Sequence, residues 1–278
     1  MNTTALPRPR SRFSQLPAAA KVAFFSLLFW GVIALIGPWI SPYDPGDMAA
    51  PDIFLRPSRE FLLGSDFLGR DLLSRIIDGV RISVMLAGSA TALAIVIGAG
   101  LGMLAATVGG WVDAVLTRVA DAMLSVPSLI FGLVVVAAVG SSVPVLIVTV
   151  AVIYAPGAFR ISRAFGREIG VMDFVTAARA RGEGVVYLVL REIMPNIVLP
   201  LLTDLGVRFV FVLLLISSLS FLGLGVQPPA ADLGALVREN FEGLSYGAPA
   251  ALLPALVLAI LTVSVNLFVD GISSTREQ

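Results

Sequence analysis

Between Asp121 and Arg160 lie 38 consecutive residues without a charged side chain. A helix needs about 20 apolar residues to cross the hydrocarbon core of a bilayer, so this run is close to two spans and must fold back on itself. Gly140-Ser141-Ser142-Val143-Pro144 is its turn-forming stretch. Ile82 to Val112 is a second uncharged run of 31 residues, and Val22 to Ile40 a third of 19. The whole chain is 57% hydrophobic and 14% charged, against about 45–50% and 25% for soluble domains. The expectation is an all-α integral membrane protein.

The same composition excludes several kinds of chemistry. The 278 residues include no Cys and no His, which removes disulfides, thiolate or imidazole metal sites and any Ser-His or Cys-His nucleophile. Lys21 is the only lysine and no Gly-x-x-x-x-Gly-Lys-Ser/Thr run occurs, so a P-loop ATPase is not built into the chain. A formal net charge of zero implies no bulk attraction to nucleic acid.

In chain order, residues 1–21 are polar and basic, with Arg8, Arg10, Arg12 and Lys21. Because no A-x-A-like site follows residues 22–40, that segment reads as a retained first span rather than a signal peptide. Residues 41–81 open on Ser41-Pro42-Tyr43-Asp44-Pro45-Gly46, which cannot be spanning helix. Ser65 or Asp66 is expected to cap an amphipathic helix with the stripe Leu72, Leu73, Ile76, Ile77 and Val80, and Asp71 to pair with Arg75. The second span is expected from Ile82 to about Val108, with Gly98, Gly100 and Gly102 suited to close helix contact. Asp113, Arg118 and Asp121 anchor the start of the third span, with Arg118 and Asp121 spaced to pair. The fourth ends in Arg160, Arg163 and Arg167. The fifth is expected from Pro195 to about Leu222 and carries Asp204 and Arg208, four apart, as a mutually neutralising pair. A loop with a short helix over 233–244 leads to the sixth span, 248–269.

Between the fourth and fifth spans, Asp173 is expected to cap a short helix ending at Arg181, with Gly182 and Gly184 as its stop and Pro195 in the first turn of the next helix. Ala177-Ala178, three residues, Gly182, nine residues and Glu192-Ile193-Met194-Pro195 resemble the EAA loop of ABC-importer permeases, with Thr176 where that family usually has Glu. Gly64-Ser65-Asp66-Phe67-Leu68-Gly69-Arg70-Asp71 and Arg81 resemble the Gly-Thr-Asp-x-x-Gly-Arg-Asp segment of the dipeptide/oligopeptide/nickel permease subfamily. Trp111, Asp113, Arg118, Asp121 and Pro127 are similar to it at matching positions. So are the run Gly223, Gly225, Gln227, Pro228 and the ending Asn266, Asp270, Gly271.

This resemblance implies a type I ABC-importer permease fold with six transmembrane helices. It divides the chain into a 1–21 tail, the 22–40 helix, a 41–81 extracytoplasmic segment, an 82–271 permease domain with its coupling loop at 168–195, and a 272–278 tail. It further implies the second permease subunit of an importer for di- or oligopeptides or, in some relatives, nickel, in the bacterial inner membrane. The implied partners are a homologous permease, two cytoplasmic ATPases that hold ATP and Mg, an extracytoplasmic binding protein and membrane lipid. Within the coupling loop, Asp173, Thr176, Ala177, Ala178, Arg181, Gly182 and Pro195 would meet the ATPase. Counting Lys and Arg favours both termini in the cytoplasm, with twelve on that side against six outside. A secondary transporter or channel would leave unpaired acidic groups at mid-membrane, whereas here the charges well inside a span are the pairable Asp204 and Arg208.

Overall fold

The computed structural model describes residues 17–274; Arg8, Arg10, Arg12 and Arg276 lie outside them. Five helices are long and apolar enough to cross a membrane: α1 (Ala18–Ile40), α2 (Leu72–Val108), α5 (Val143–Gly170), α7 (Val185–Phe221) and α9 (Leu252–Ser274). Two shorter ones, α3 (Gly110–Leu124) and α4 (Ser128–Val139), are bent by 88° to each other and make a sixth crossing if counted as one broken span. Pro127 causes the break. It lacks an N–H, and it biases Val126 away from helical geometry. Gly140, at φ 107°, turns the chain from α4 into α5, as the uncharged 38-residue run requires. Two short helices sit outside the spans, α6 (Asp173–Ala180) and α8 (Leu233–Glu239).

Two spans begin earlier than expected. The amphipathic helix of the 41–81 segment and the second span are one continuous helix, α2, of 37 residues. At about 1.5 Å per residue this is roughly 55 Å, well beyond a hydrocarbon core of about 30 Å, so its first turns stand clear of it. Its N-cap is Asp71, not Ser65 or Asp66: the Asp71 carboxylate accepts from Ser74 N at 2.8 Å and from Ser74 Oγ at 2.7 Å. The fifth span starts at Val185, ten residues before Pro195. In a regular α-helix the Pro195 ring would meet the carbonyl of Arg191. Leu188–Ile193 instead forms a π-helical turn, and the Met194 N–H reaches back five residues to Val189 O. The helix thus runs through the proline without a break.

The most extensive helix contact is between α2 and α5. A Cβ at Gly98 would meet the Ala155 carbonyl oxygen and come within 2.6 Å of Ala158 Cβ, and one at Gly102 would lie 2.5 Å from Phe159 O. Gly100 differs: it faces outward with open space where its Cβ would be. Of the three glycines expected to support helix contact, only the pair four residues apart does so, because residues two apart lie on opposite sides of a helix. On the far side α1 packs against α9, where Gly271 leaves room for Ala20. Gly98→Ala is therefore expected to destabilise the fold by about 1–3 kcal/mol through overpacking. Gly100→Ala should be neutral or stabilising by up to about 1 kcal/mol. Thermal unfolding in detergent should separate the two, with only the Gly98 variant melting earlier than wild type.

Candidate functional site

At one end of the bundle, α6 projects between the ends of α5 and α7. Val175 and Ala178 point inward and are fully buried with Leu188, against Ile169. Phe174, Thr176, Ala177 and Arg179 lie on the exposed face. The apolar spacing explains this: three residues apart is one helix face. Ala178, expected on the coupling surface, belongs instead to the inner face. The N-cap is Met172 rather than Asp173, which occupies the first helical turn. Thr176 is consequently the fourth helical residue, one past the position from which a Glu could close a capping box. The C-terminal expectation holds. Gly182 takes φ 85°, Gly182 N donates to Arg179 O at 2.9 Å, and Glu183 N donates to Ala178 O at 3.2 Å. Arg181 lies 3.8 Å from Glu192 across the loop, an exposed pair worth little. Pro195 is exposed, beyond the π turn.

Just above α6, α3 is tied to α5 by charge. The buried Asp113 accepts from Arg163 Nη2 at 2.8 Å and also pairs with Arg163 Nε and Arg167. Asp121 pairs with Arg160 at 2.5 Å. The expected Arg118–Asp121 pair along one helix is replaced by this link between helices.

The opposite end carries a buried ionic cap. Arg70 pairs with Asp66 at 2.7 Å and Arg75 with Glu239 at 2.5 Å, while Arg70 lies 3.4 Å from the same Glu239. Arg75 also donates to Pro229 O at 2.7 Å, and Phe67 N to the Asn240 side chain at 3.1 Å. The expected Asp71–Arg75 pair is absent because Asp71 is occupied as the α2 cap. Gly64 and Gly69 make the tight loop at φ 81° and 76°. Gln227 closes the turn after α7 by donating to Gly225 O at 2.9 Å. Arg81 meets Asp78 at 3.6 Å on the half-exposed side of α2. Sequence reasoning missed Glu239, Asn240 and Asp232, which become central only when α8 folds over the 41–71 segment. The fully buried Asp232 caps α8 through Ala235 N at 2.9 Å and accepts from Ser220 Oγ. Burial outweighs these bonds and pushes its carboxyl up to about 6.

Midway along α7, Arg208 and Asp204 form the expected pair, bidentate at 2.7 and 2.8 Å, with side chains only 7% and 9% exposed. Arg208 lies in the wall of a cavity of about 460 Å³ formed where α3 breaks into α4 against α5. Toward the α6 end of α9, Asn266 and Asp270 are exposed and Gly271 is buried at the α1 contact. Among the described residues no group of His, Cys, Asp or Glu is placed to hold a metal ion.

Residues 98–276 match the family model described as a binding-protein-dependent transport system inner membrane component. The chain is 33% identical over 275 residues to the di/tripeptide transport system permease protein DppC of Pseudomonas aeruginosa, covering 96% of this chain and 91% of that protein. It is 31% identical over 259 residues to the dipeptide transport system permease protein DppC of Haemophilus influenzae, covering 91% and 88%. It is also 32% identical over 266 residues to the glutathione transport system permease protein GsiD of Escherichia coli O6:K15:H31, covering 94% and 86%.

Asp232 gives the cap a pH dependence. Its folded pKa of about 6 exceeds the ordinary Asp value of about 3.9, so the folded state holds the proton more tightly. Its contribution to stability is full below about pH 4 and is lost as pH rises toward 6. Asp232→Asn keeps a capping oxygen and removes the titration. Melting temperatures measured from pH 4 to 7 should show wild type losing stability relative to the Asn variant across that window.

Proposed function

Because the chain belongs to the inner membrane components of binding-protein-dependent transport systems, as a multi-pass protein of the bacterial inner membrane, we propose that it is the second permease subunit of an ATP-driven importer of di- or oligopeptides. It forms half of the translocation pathway and has no ATPase site of its own. ATP and Mg are held by two cytoplasmic ATPases, and cargo is delivered by an extracytoplasmic binding protein. A homologous permease supplies the other half. The peptide reading is supported by the di/tripeptide and dipeptide permeases among the relatives, and the glutathione permeases carry cargo of the same chemistry.

The observation that carries the coupling role is α6. It is a short helix standing at the turn between two long spans, apolar on the face toward its own bundle and exposed on the other. In this reading α6 is the contact with an ATPase, and the exposed Asp173, Thr176, Ala177 and Arg181 present the surface. Val175 and Ala178 transmit force to Leu188 and Ile169. ATP-driven closure of the ATPases would move α6 as a rigid body and rock α5 and α7 with it, a two-state lever of the hinge-and-shear kind.

Right-side-out vesicles or proteoliposomes holding the whole complex, with ATP enclosed, test this. Uptake of a labelled dipeptide should require both ATP and the binding protein. Uptake without ATP, driven by an ion gradient, would reject the importer reading. Within the same preparation Gly182→Val should reduce peptide-stimulated ATP hydrolysis several-fold, because a β-branched residue is strained by about 1–2 kcal/mol in the left-handed conformation that ends α6. Thr176→Glu should leave it unchanged or slightly raised, since the added carboxylate lies near the positive end of the helix for a gain of up to about 1 kcal/mol. If Thr176→Glu uncouples hydrolysis from uptake while Gly182→Val is silent, the side-chain surface matters and the helix ending does not.

A further inference from the structure

The Asp204–Arg208 pair stands beside a cavity that a merely neutralising pair does not need. Three independent elements place that cavity at mid-depth. Asp204 is ten residues from Met194 on a segment ending at Phe221; Tyr154 and Gly157 lie at the centre of Val143–Gly170; and Ser125–Pro127 breaks the crossing that runs from Gly110 to Val139. Non-helical backbone at that depth is tolerated where protein covers it or where it lines a polar cavity, and the approximately 460 Å³ space beside it is walled by Ser128, Phe131, Tyr154, Gly157 and Arg208.

The guanidinium is held open toward this space. Nε and Nη2 donate to Asp204 and Nη1 donates to Tyr154 O at 2.9 Å. Of the five N–H donors of an arginine, Nε and Nη2 are turned to the carboxylate and Nη1 gives one hydrogen to Tyr154 O, which leaves the second Nη1 hydrogen for another acceptor. Nη1 reaches the cavity wall only because residue 157 is glycine, since a Cβ there would lie 2.7 Å from it. A buried donor without an acceptor is costly, and a carboxylate is the acceptor a guanidinium matches best.

We infer that this cavity is a cargo subsite in which Arg208 receives the free carboxylate of a short peptide, while Asp204 holds the guanidinium and moderates its charge. The inference rests on the peptide-import reading and goes beyond it by naming the atoms. A bare arginine at this depth would bind an anion tightly and trap it. An arginine already paired offers a weak, exchangeable contact, as passage requires. No proton or covalent step is involved.

The test uses the complete importer in proteoliposomes with one unchanged binding protein, so any altered cargo preference arises in the membrane. Uptake of trialanine and of trialanine amide is measured for wild type and for the double variant Asp204→Leu/Arg208→Leu, with assembly followed by co-purification. Wild type should favour the free acid. The assembled double variant should lose about tenfold in trialanine uptake, the scale of a lost charged hydrogen bond, and keep its uptake of the amide, so that the preference disappears. Equal preference in wild type and assembled double variant overturns the inference and leaves the pair structural.

If the double variant does not assemble, a second measurement decides. The chain has no cysteine, so Ser128→Cys, or Ser125→Cys in its place, adds its one thiol at the cavity. Labelling by an anionic methanethiosulfonate should be slowed at least threefold by trialanine during turnover, and not by its amide. Undiminished labelling in vesicles that import trialanine overturns the subsite while leaving peptide import intact. Vesicles that import neither trialanine nor its amide overturn the peptide reading itself.

Discussion

The backbone contact between α2 and α5 is the constraint on which the rest of the bundle depends. In a bilayer the lipid tails are as apolar as any side chain, so helices gain little from burying apolar surface against one another and must gain it from close packing. Gly98 and Gly102 let α2 approach Ala155, Ala158 and Phe159 until backbone and Cβ atoms touch, and Ser162 satisfies its hydroxyl internally by donating to Ala158 O at 2.6 Å. With α5 held this way, its middle brings Tyr154 and Gly157 to the cavity, and its last turns bring Arg163 and Arg167 to Asp113. Its end then sets where α6 begins. Gly157 repeats the device on another face of α5, admitting a guanidinium instead of a helix.

Buried ion pairs among the described residues sit at three levels, matched across elements at the two ends and within α7 in the middle. The cap joins the 41–71 segment to α8 through Asp66, Arg70, Arg75 and Glu239, the middle holds Asp204 and Arg208, and the α6 end holds Asp113 with its two arginines. Removing one partner of a buried pair costs about 3–5 kcal/mol because the other is left uncompensated. The Gly-Ser-Asp-x-x-Gly-Arg-Asp segment therefore acts as a fastener. Asp66 holds Arg70 and Arg75, Arg70 reaches across to Glu239 of α8, Asp71 starts α2, and Ser65 Oγ accepts from Leu55 N and donates to Asp52 O, each at 2.8 Å.

How much was legible in the sequence follows the range of the interaction involved. The spans were legible from uncharged length, and the Gly140 turn and the Gly182 stop from local backbone chemistry. The Asp204–Arg208 pair was legible because i and i+4 face each other on any helix. The same local logic misassigned Asp71 to Arg75 and Asp121 to Arg118: Asp71 caps its own helix through Ser74, while Arg75 and Asp121 pair with Glu239 and Arg160 on other helices. Glu239 is 164 residues from Arg75, and no spacing rule reaches that far. The helix starts at Leu72 and Val185 were hidden for a different reason. A charged or proline-containing stretch looks like a boundary, yet arginines paired in the cap and a π turn before Pro195 allow the helix to continue.

That π turn bears on how the α6 end of the molecule communicates with the cavity at mid-depth. Leu188 opens it and is also the residue on which Val175 and Ala178 of α6 rest. Ile193 closes it and packs with Ala99 and Met103 of α2, the residues that directly follow Gly98 and Gly102. A π segment carries its hydrogen bonds in a wider register than the helix on either side, so it can change pitch at less cost than a straight α-helix. Sixteen residues separate Leu188 from Asp204, about 24 Å of helix. Displacing α6 therefore bears first on the one compliant turn of α7, whose far side is clamped to α2, and the stiff helix beyond it ends in the ion pair at the cavity wall. Replacing the π turn with regular helix would shift every later α7 side chain by about 100° around the axis, turning Arg208 away from Gly157. The turn thus sets the rotational register that brings the guanidinium to the gap left by Gly157 in α5.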